Sequence, residues 1–285
     1  MLQPKKSLGQ NFLRDPNTIR KIVAAVQAPR GGAVVEIGPG TGALTGALLE
    51  RFPDLTAVEV DARAVAYLRQ THPALDVRQA DVLEVDWAAL AAEKGGPLYV
   101  VGNLPYYITS QILFSLVDAR AAVREAVVMM QLEVAERLVA VPRTKAYGIL
   151  SVQLQLFARP ELLFRVSRNV FFPRPDVTSA VVRLVFEDHE AFEDHEVFED
   201  HEAFDQHRGF DEREEMQAGV DPSLLRAVVR TAFNQRRKTL HNSLSAWTRD
   251  RGIELPEAWA SRRAEELDPP AFVALTRFLE ERLRS

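Results

Sequence analysis

The sequence predicts an α/β fold, a parallel sheet covered by helices on both faces, followed by a small all-helical domain. Three observations lead there. Short apolar runs at residues 33–37, 55–60, 77–80, 98–102, 126–130 and 178–186 alternate with stretches of helical spacing, as expected for the strands and crossover helices of a buried parallel sheet. A glycine-rich turn, Gly38-Pro39-Gly40-Thr41-Gly42, follows the first run, an arrangement that lets backbone approach a ligand at a strand's carboxyl end. Beyond Asp221-Pro222-Ser223, residues 222–247 and 269–283 have helical spacing and no strand candidate.

Composition sets the domain organisation. With 285 residues, 47% of them hydrophobic, the chain can bury one large core and a smaller one. We expect residues 1–186 to form one domain, 187–215 an acidic insertion, and 216–285 a helical domain. The insertion repeats with period six, from Phe186-Glu187-Asp188-His189-Glu190-Ala191 through Phe192 and Phe198 to Phe204-Asp205-Gln206-His207. Six matches neither helix nor strand period, so a self-repelling, solvated loop is expected. Its histidines, His189, His195, His201 and His207, make divalent-metal binding conceivable, but the chemistry read below calls for no metal.

The net charge of −5 hides an asymmetry. Residues 187–215 hold fourteen acidic residues against two arginines, a local net of −12, so the remainder carries +7. A body that binds a polyanion, with an acidic appendage, fits this distribution. Absence of cysteine excludes disulfides, thiolate zinc sites and thiol nucleophiles. No apolar run approaches the ~20 residues of a membrane span and no signal-peptide pattern follows Met1, so a cytoplasmic protein without membrane contact is expected.

Gly38-x-Gly40-x-x-Ala43 satisfies the relaxed dinucleotide fingerprint, which keeps a nicotinamide or flavin enzyme in view. The same turn, with Gly42 added, also suits a nucleoside lacking a pyrophosphate, as in S-adenosylmethionine enzymes. Glu59, about twenty residues beyond the turn at the next strand end, is placed to accept hydrogen bonds from ribose hydroxyls, and Asp81, at the third strand end, to accept from an adenine amino group. Asp61 reads instead as the cap of a helix starting at Ala62.

Asn103-Leu104-Pro105-Tyr106 follows the apolar run 98–102. An amide oxygen and a backbone carbonyl can accept both hydrogens of an exocyclic amine, and a tyrosine ring can stack on a flipped base. We therefore expect methyl transfer to such an amine. Asn103 and the Leu104 carbonyl would be the acceptors, Pro105 would stiffen the turn, Tyr106 would stack, and Phe171 or Phe172 would close the other face. For RNA docking, Arg226, Arg230, Arg236, Arg237, Lys238 and His241 form a basic helical run, joined by Lys5, Lys6 and Arg14 near the amino terminus.

Ordered motifs across nearly the whole chain resemble the small-subunit (16S) ribosomal RNA adenine N6,N6-dimethyltransferase family. They are Lys6 to Leu13, the Glu36 to Gly42 turn, Asn103 to Tyr106, Glu133-Val134-Ala135-x-Arg137, Tyr147-Gly148-x-Leu150-Ser151-Val152, the Phe171 to Ser179 run and Asn234 to Asn242. The resemblance implies a Rossmann-like S-adenosylmethionine-dependent methyltransferase sheet. It implies donor contacts from Asn11, Leu13, Gly38, Glu59, Asp81 and Asn103, and dimethylation of two adjacent adenosines in the 3′-terminal hairpin loop of small-subunit ribosomal RNA. The expected partner is the immature small ribosomal subunit, and the expected state a monomer. The acidic insertion departs from the family pattern. Rival readings are a large-subunit RNA adenine methyltransferase of the antibiotic-resistance type, a non-catalytic ribosome-assembly or transcription factor on the same fold, and a redox enzyme. The Phe171 to Ser179 run and the Asn234 to Asn242 helix lean toward the small-subunit enzyme, and intact Gly38, Glu59, Asp81, Asn103 and Tyr106 argue for retained catalysis.

Overall fold

Capping residues start the helices where the apolar periodicity begins. In a computed structural model, which describes Lys5 and residues 9–186 and 220–284, helix α1 (Pro16–Ala25) opens with Asp15, whose carboxylate accepts from the Thr18 amide at 2.8 Å, and with proline in its first turn. Asp61 likewise caps α3 (Ala62–Thr71) and Asp86 caps α4 (Trp87–Lys94). Helices α2 (Thr45–Arg51) and α5 (Thr109–Asp118) begin without a side-chain cap. Lys6 and the acidic repeat lie outside the described residues.

The strands are β1 (Phe12–Leu13), β2 (Ala33–Ile37), β3 (Thr56–Glu59), β4 (Asp76–Gln79), β5 (Leu98–Asn103), β6 (Val123–Gln131), β7 (Arg159–Val166), β8 (Phe171–Phe172) and β9 (Ser179–Val185). Seven of them form one sheet in the order β4-β3-β2-β5-β6-β9-β7. The five from β4 to β6 are mutually parallel, whereas β9 runs antiparallel to both β6 and β7. The two antiparallel pairings modify the all-parallel expectation. Because β9 runs backwards, its first residue, Ser179, lies opposite the last residue of β6, Gln131.

Winding proceeds from β2 outward to β4, then resumes on the other side of β2 at β5. The reversal leaves the carboxyl ends of β2 and β5 adjacent with their following loops diverging, which opens a crevice there. Apolar side chains cover both faces of the central strands: Val34, Val35, Val100, Val101 and Val127 are all almost fully buried, as a sheet sandwiched by helices requires. Ile22 of α1, Leu48 of α2 and Leu68 of α3 pack into one such core with Val34, Ala57, Val101 and Val181.

One strand position admits no side chain. Gly102 pairs with Ile37 across β5 and β2, and a Cβ there would stand 2.5 Å from the Ile37 carbonyl oxygen. Gly102→Ala must force β5 away from β2 immediately before Asn103. We expect a loss of about 1–3 kcal/mol in urea unfolding, the usual range for an overpacked core. An unchanged midpoint would refute the close approach.

The chain divides into two compact units. Residues 9–136 and 157–186 build the sheet unit, and residues 137–156 cluster with 220–284. The expected boundary near residue 186 thus omits a segment, 137–156, that joins the helices through polar and aromatic ties. The Tyr147 hydroxyl donates to the Leu267 carbonyl at 2.8 Å, and the Arg143 amide donates to the Glu265 carbonyl at 2.7 Å. Tyr147 also meets Phe233 edge-on at 6.0 Å, and Phe233 stacks on Phe272 at 5.7 Å. The carboxy-terminal helices of this unit include two long ones, residues Pro222–Asn234 and Pro269–Arg284. Helical spacing over 222–247 is broken after Asn234, where the chain turns before short helices at Leu240–Ser243 and Ser245–Thr248.

Candidate active site

A cavity of about 270 Å³ opens at the carboxyl ends of β2, β3, β4 and β5. Gly38 and Gly40 line it after β2, Glu59 and Val60 after β3, Asp81 and Val82 after β4, and Asn103 to Tyr107 after β5, with Gly9 to Phe12 completing the wall. The sheet topology therefore gathers Asn11, Gly38, Glu59, Asp81, Asn103, Leu104, Pro105 and Tyr106 into one place.

Glu59 is buried, with 5% of its surface exposed. Its two oxygens accept from the Gly40 amide at 3.0 Å and the Asp61 amide at 2.8 Å, so the carboxylate bridges the glycine turn and the next strand end. Burial raises its pKa despite those hydrogen bonds. Asp61 behaves oppositely. Its hydrogen bond with Arg63 is the main cause holding it down at about 2, and Lys5 approaches it at 3.7 Å. Asp81 accepts from the Leu83 amide at 2.9 Å and lines the cavity.

Gly40 has φ +56°, and a Cβ on it would lie 2.8 Å from the Phe12 ring. Glycine is required there on both counts. Phe12 belongs to a strap, Gly9 to Leu13, held by the β1–β8 pairing of Phe12 with Phe172 and Leu13 with Phe171. Gln10 reaches Asp61 at 3.4 Å, and the Asn11 carbonyl accepts from Asn103 Nδ2 at 2.9 Å.

That last bond fixes the orientation of the Asn103 amide. With Nδ2 committed to Asn11, Oδ1 faces away from it, and this oxygen is buried with no hydrogen-bond donor among the described residues. An orphaned buried acceptor costs about 1–3 kcal/mol, a cost that a ligand amine donating to this oxygen would remove. The turn that follows is pinned. The Leu104 amide donates to the Met129 carbonyl at 2.9 Å, and the Pro105 carbonyl accepts from the Thr109 hydroxyl at 3.0 Å and the Ile108 amide at 3.3 Å. Tyr106 is half-buried, and its hydroxyl shares a hydrogen bond with the Ser179 hydroxyl at 2.8 Å. Burial raises the Tyr106 pKa, so the ring stays neutral.

Several expected residues lie elsewhere. Leu13 and Phe171 are buried in the core, and Phe172 lies exposed beneath the Arg14 guanidinium at 4.0 Å, so none of the three lines the cavity. Consecutive strand residues face opposite ways, which is why adjacent phenylalanines part company. In the helical unit Arg236 is consumed internally. It donates to Glu265 at 2.6 Å and to the carbonyls of Lys145 and Thr144 at 3.0 and 2.9 Å. Arg230, Arg237 and Lys238 are exposed and Arg226 is half-buried.

Sequence reasoning missed Phe12, Val60 and Tyr107 as wall residues. Val60 and Tyr107 are 51% and 59% exposed, and an apolar residue directly after Glu59 at a strand end was a usable signal. It also missed Glu36, which is fully buried beneath the turn, accepts from the Thr45 hydroxyl at 2.7 Å, and is pushed up to about 8, chiefly by burial and further by Glu59.

Strand order, the glycine turn and carboxylates at successive strand ends define a Rossmann-like methyltransferase. The crystal structure of a dimethyladenosine transferase from Plasmodium falciparum matches with a TM-score of 0.72 at 21% identity, covering 95% of this chain and 98% of that one. The structure of the 23S rRNA methyltransferase ErmE matches with a TM-score of 0.60 at 26% identity, covering 96% and 100%. More specific is sequence. The family described as ribosomal RNA adenine dimethylase matches residues 1–202. The ribosomal RNA small subunit methyltransferase A of Salinibacter ruber is 54% identical over 278 residues, 98% of this chain and 86% of its own length. The chain belongs to the ribosomal RNA adenine dimethylase family.

Proposed function

We propose that this protein transfers methyl groups from S-adenosylmethionine to N6 of two adjacent adenosines in the 3′-terminal hairpin loop of small-subunit ribosomal RNA. It would act as a monomer on immature small subunits in the cytoplasm. The observation that carries this reading is the orphaned Asn103 Oδ1 at the wall of a nucleoside-sized cavity. Identity of 54% to a small-subunit enzyme, against 26% to a large-subunit one, favours the RNA assigned.

The residues present suit the donor. Gly38 and Gly40 give its nucleoside backbone-close access, Glu59 retains lone pairs for ribose hydroxyls, and Asp81 stands at the β4 end for the adenine amine. Asn11 borders the same space, while Leu13 serves by anchoring the strap in the core. Bound there, S-adenosylmethionine supplies an electrophilic methyl group and leaves as a neutral thioether.

An adenine amine is a weak nucleophile because its lone pair is delocalised into the ring. Asn103 Oδ1 and the Leu104 carbonyl would accept its two hydrogens, favouring a more tetrahedral nitrogen and aiming the lone pair at the methyl carbon. Pro105 holds the turn and Tyr106 stacks on the flipped base. Nitrogen gains one carbon and its excess proton passes to water, so positioning supplies most of the catalysis. For the second transfer the monomethylated amine has one hydrogen left, so one acceptor contact is given up.

The decisive experiment incubates the protein and radiolabelled donor with small subunits lacking the modification, then maps the label. Label on the two loop adenosines is expected, and label elsewhere would overturn the assignment.

For docking we assign Arg237 and Lys238 of the helical unit, with Arg226, Arg230 and Arg14, to phosphate contact. Arg236 instead braces its own unit and Lys5 leans on Asp61. Replacing both Arg237 and Lys238 by alanine should weaken RNA binding and flatten the dependence of log affinity on log salt by roughly 1.5–2. An unchanged slope would remove these two side chains from the interface.

A further inference from the structure

We infer that Ser179 is a positioning residue that aims the Tyr106 ring, an inference that rests on the reading of Tyr106 as the base-stacking platform. Ser179 is fully buried and lines no part of the cavity. Its hydroxyl lies 2.8 Å from that of Tyr106, 73 residues away. Among the described residues this is the one hydrogen bond found at the Tyr106 side chain.

The topology explains why a residue so distant can serve. In a parallel strand the first residue stands at the amino edge of the sheet, far from the site. Strand β9 is reversed, so its first residue arrives at the carboxyl edge, opposite Gln131 of β6 and Val166 of β7. The preceding Thr178 carbonyl accepts from the Leu132 amide at 2.9 Å. Ser179 is therefore clamped by strands on both sides, and its hydroxyl is a fixed point on a rigid sheet.

A stacking ring needs a defined plane. Tyr106 sits in the loop between β5 and α5, where backbone alone fixes the Cα but leaves the ring free to turn about two torsions. Tethering the far end of the ring to Ser179 removes that freedom and fixes the face shown to the cavity. A phenylalanine at 106 would keep the stacking surface and lose its aim. The tyrosine hydroxyl is thus assigned to orientation rather than to proton transfer, in keeping with its upward-shifted pKa.

The test is a double-mutant cycle on the full chain, using small subunits that lack the modification and S-adenosylmethionine as probes. Ser179→Ala and Tyr106→Phe should each slow single-turnover methylation at saturating substrates about three- to tenfold, the worth of one neutral hydrogen bond. Donor affinity and a donor stoichiometry of one should be unchanged by calorimetry, which separates misaimed rings from misfolded protein. The double variant should be no slower than either single one, because both remove the same bond. A double variant whose loss equals the product of the single losses overturns the inference, as does a normal rate for Ser179→Ala. Asn103→Ala in the same assay keeps the two levels apart. If it is inactive while Ser179→Ala is normal, only the tether fails, whereas a near-normal Asn103→Ala rate removes the functional reading itself.

Discussion

Asn103→Ala is expected to slow single-turnover methyl transfer by about 10²–10³-fold, the usual loss when one preorganised polar contact to a reacting group is removed. Donor affinity should change by less than about tenfold, since Gly38, Glu59 and Asp81 remain in place. The asymmetry follows from what Asn103 does at each end. Its Nδ2 is spent on the Asn11 carbonyl, which holds the strap, and its Oδ1 has no donor among the described residues. Alanine removes the acceptor and also loosens the strap, hence the modest donor effect. Asn103→Asp separates the two roles, because it keeps an acceptor while replacing the Asn11 donor with a charge that repels the carbonyl. It should loosen the strap as alanine does and recover part of the rate. Stopped-flow or quench measurement of label transfer, paired with calorimetry, reads both numbers. A near-normal Asn103→Ala rate would end the assignment.

Much of this site was legible because the chemistry sits at strand ends, and strands with period-free apolar runs are easy to find. Asp81 and Asn103 follow such runs, Glu59 lies near the end of one, and the glycine turn marks where the first ends. What sequence could not show was pairing between distant segments. The β1–β8 ribbon joins Phe12 to Phe172 through two-residue strands, too short to carry any periodicity. Strand β7, Arg159–Val166, begins Arg-Pro-Glu, which reads as a loop; an edge position tolerates the proline because its missing donor would face solvent. The direction of β9 is likewise silent in its composition, yet it decides that Ser179 reaches the active edge. Arg236 shows the same blindness for charge: beside Arg237 and Lys238 it looks like part of a docking face, and only the fold brings Glu265 and two carbonyls to its guanidinium.

Glu36→Gln is expected to flatten the pH dependence of stability. The Glu36 carboxyl is fully buried, and burial raises it from 4.5 to about 8, with Glu59 adding to the effect. A carboxyl whose folded pKa lies above its unfolded value contributes stability that is complete below about 4.5 and is lost as pH climbs through about 8. Between those limits ionisation is favoured in the unfolded chain and resisted in the folded one. At about 1.4 kcal/mol per unit, the wild-type protein should lose on the order of a few kcal/mol between pH 5 and pH 9 from this group. Glutamine keeps an oxygen to accept from the Thr45 hydroxyl and has nothing to ionise. The variant's melting temperature should therefore fall less steeply with pH, matching wild type near pH 5 and exceeding it at pH 9. Equal slopes for the two proteins across that range would show that Glu36 ionises as freely in the fold as outside it. A cationic ligand bound beside the glycine turn would favour the ionised form of this carboxyl. Calorimetry in buffers of differing ionisation enthalpy should then register proton release when the sulfonium donor binds wild type at pH 7, and less release when it binds Glu36→Gln.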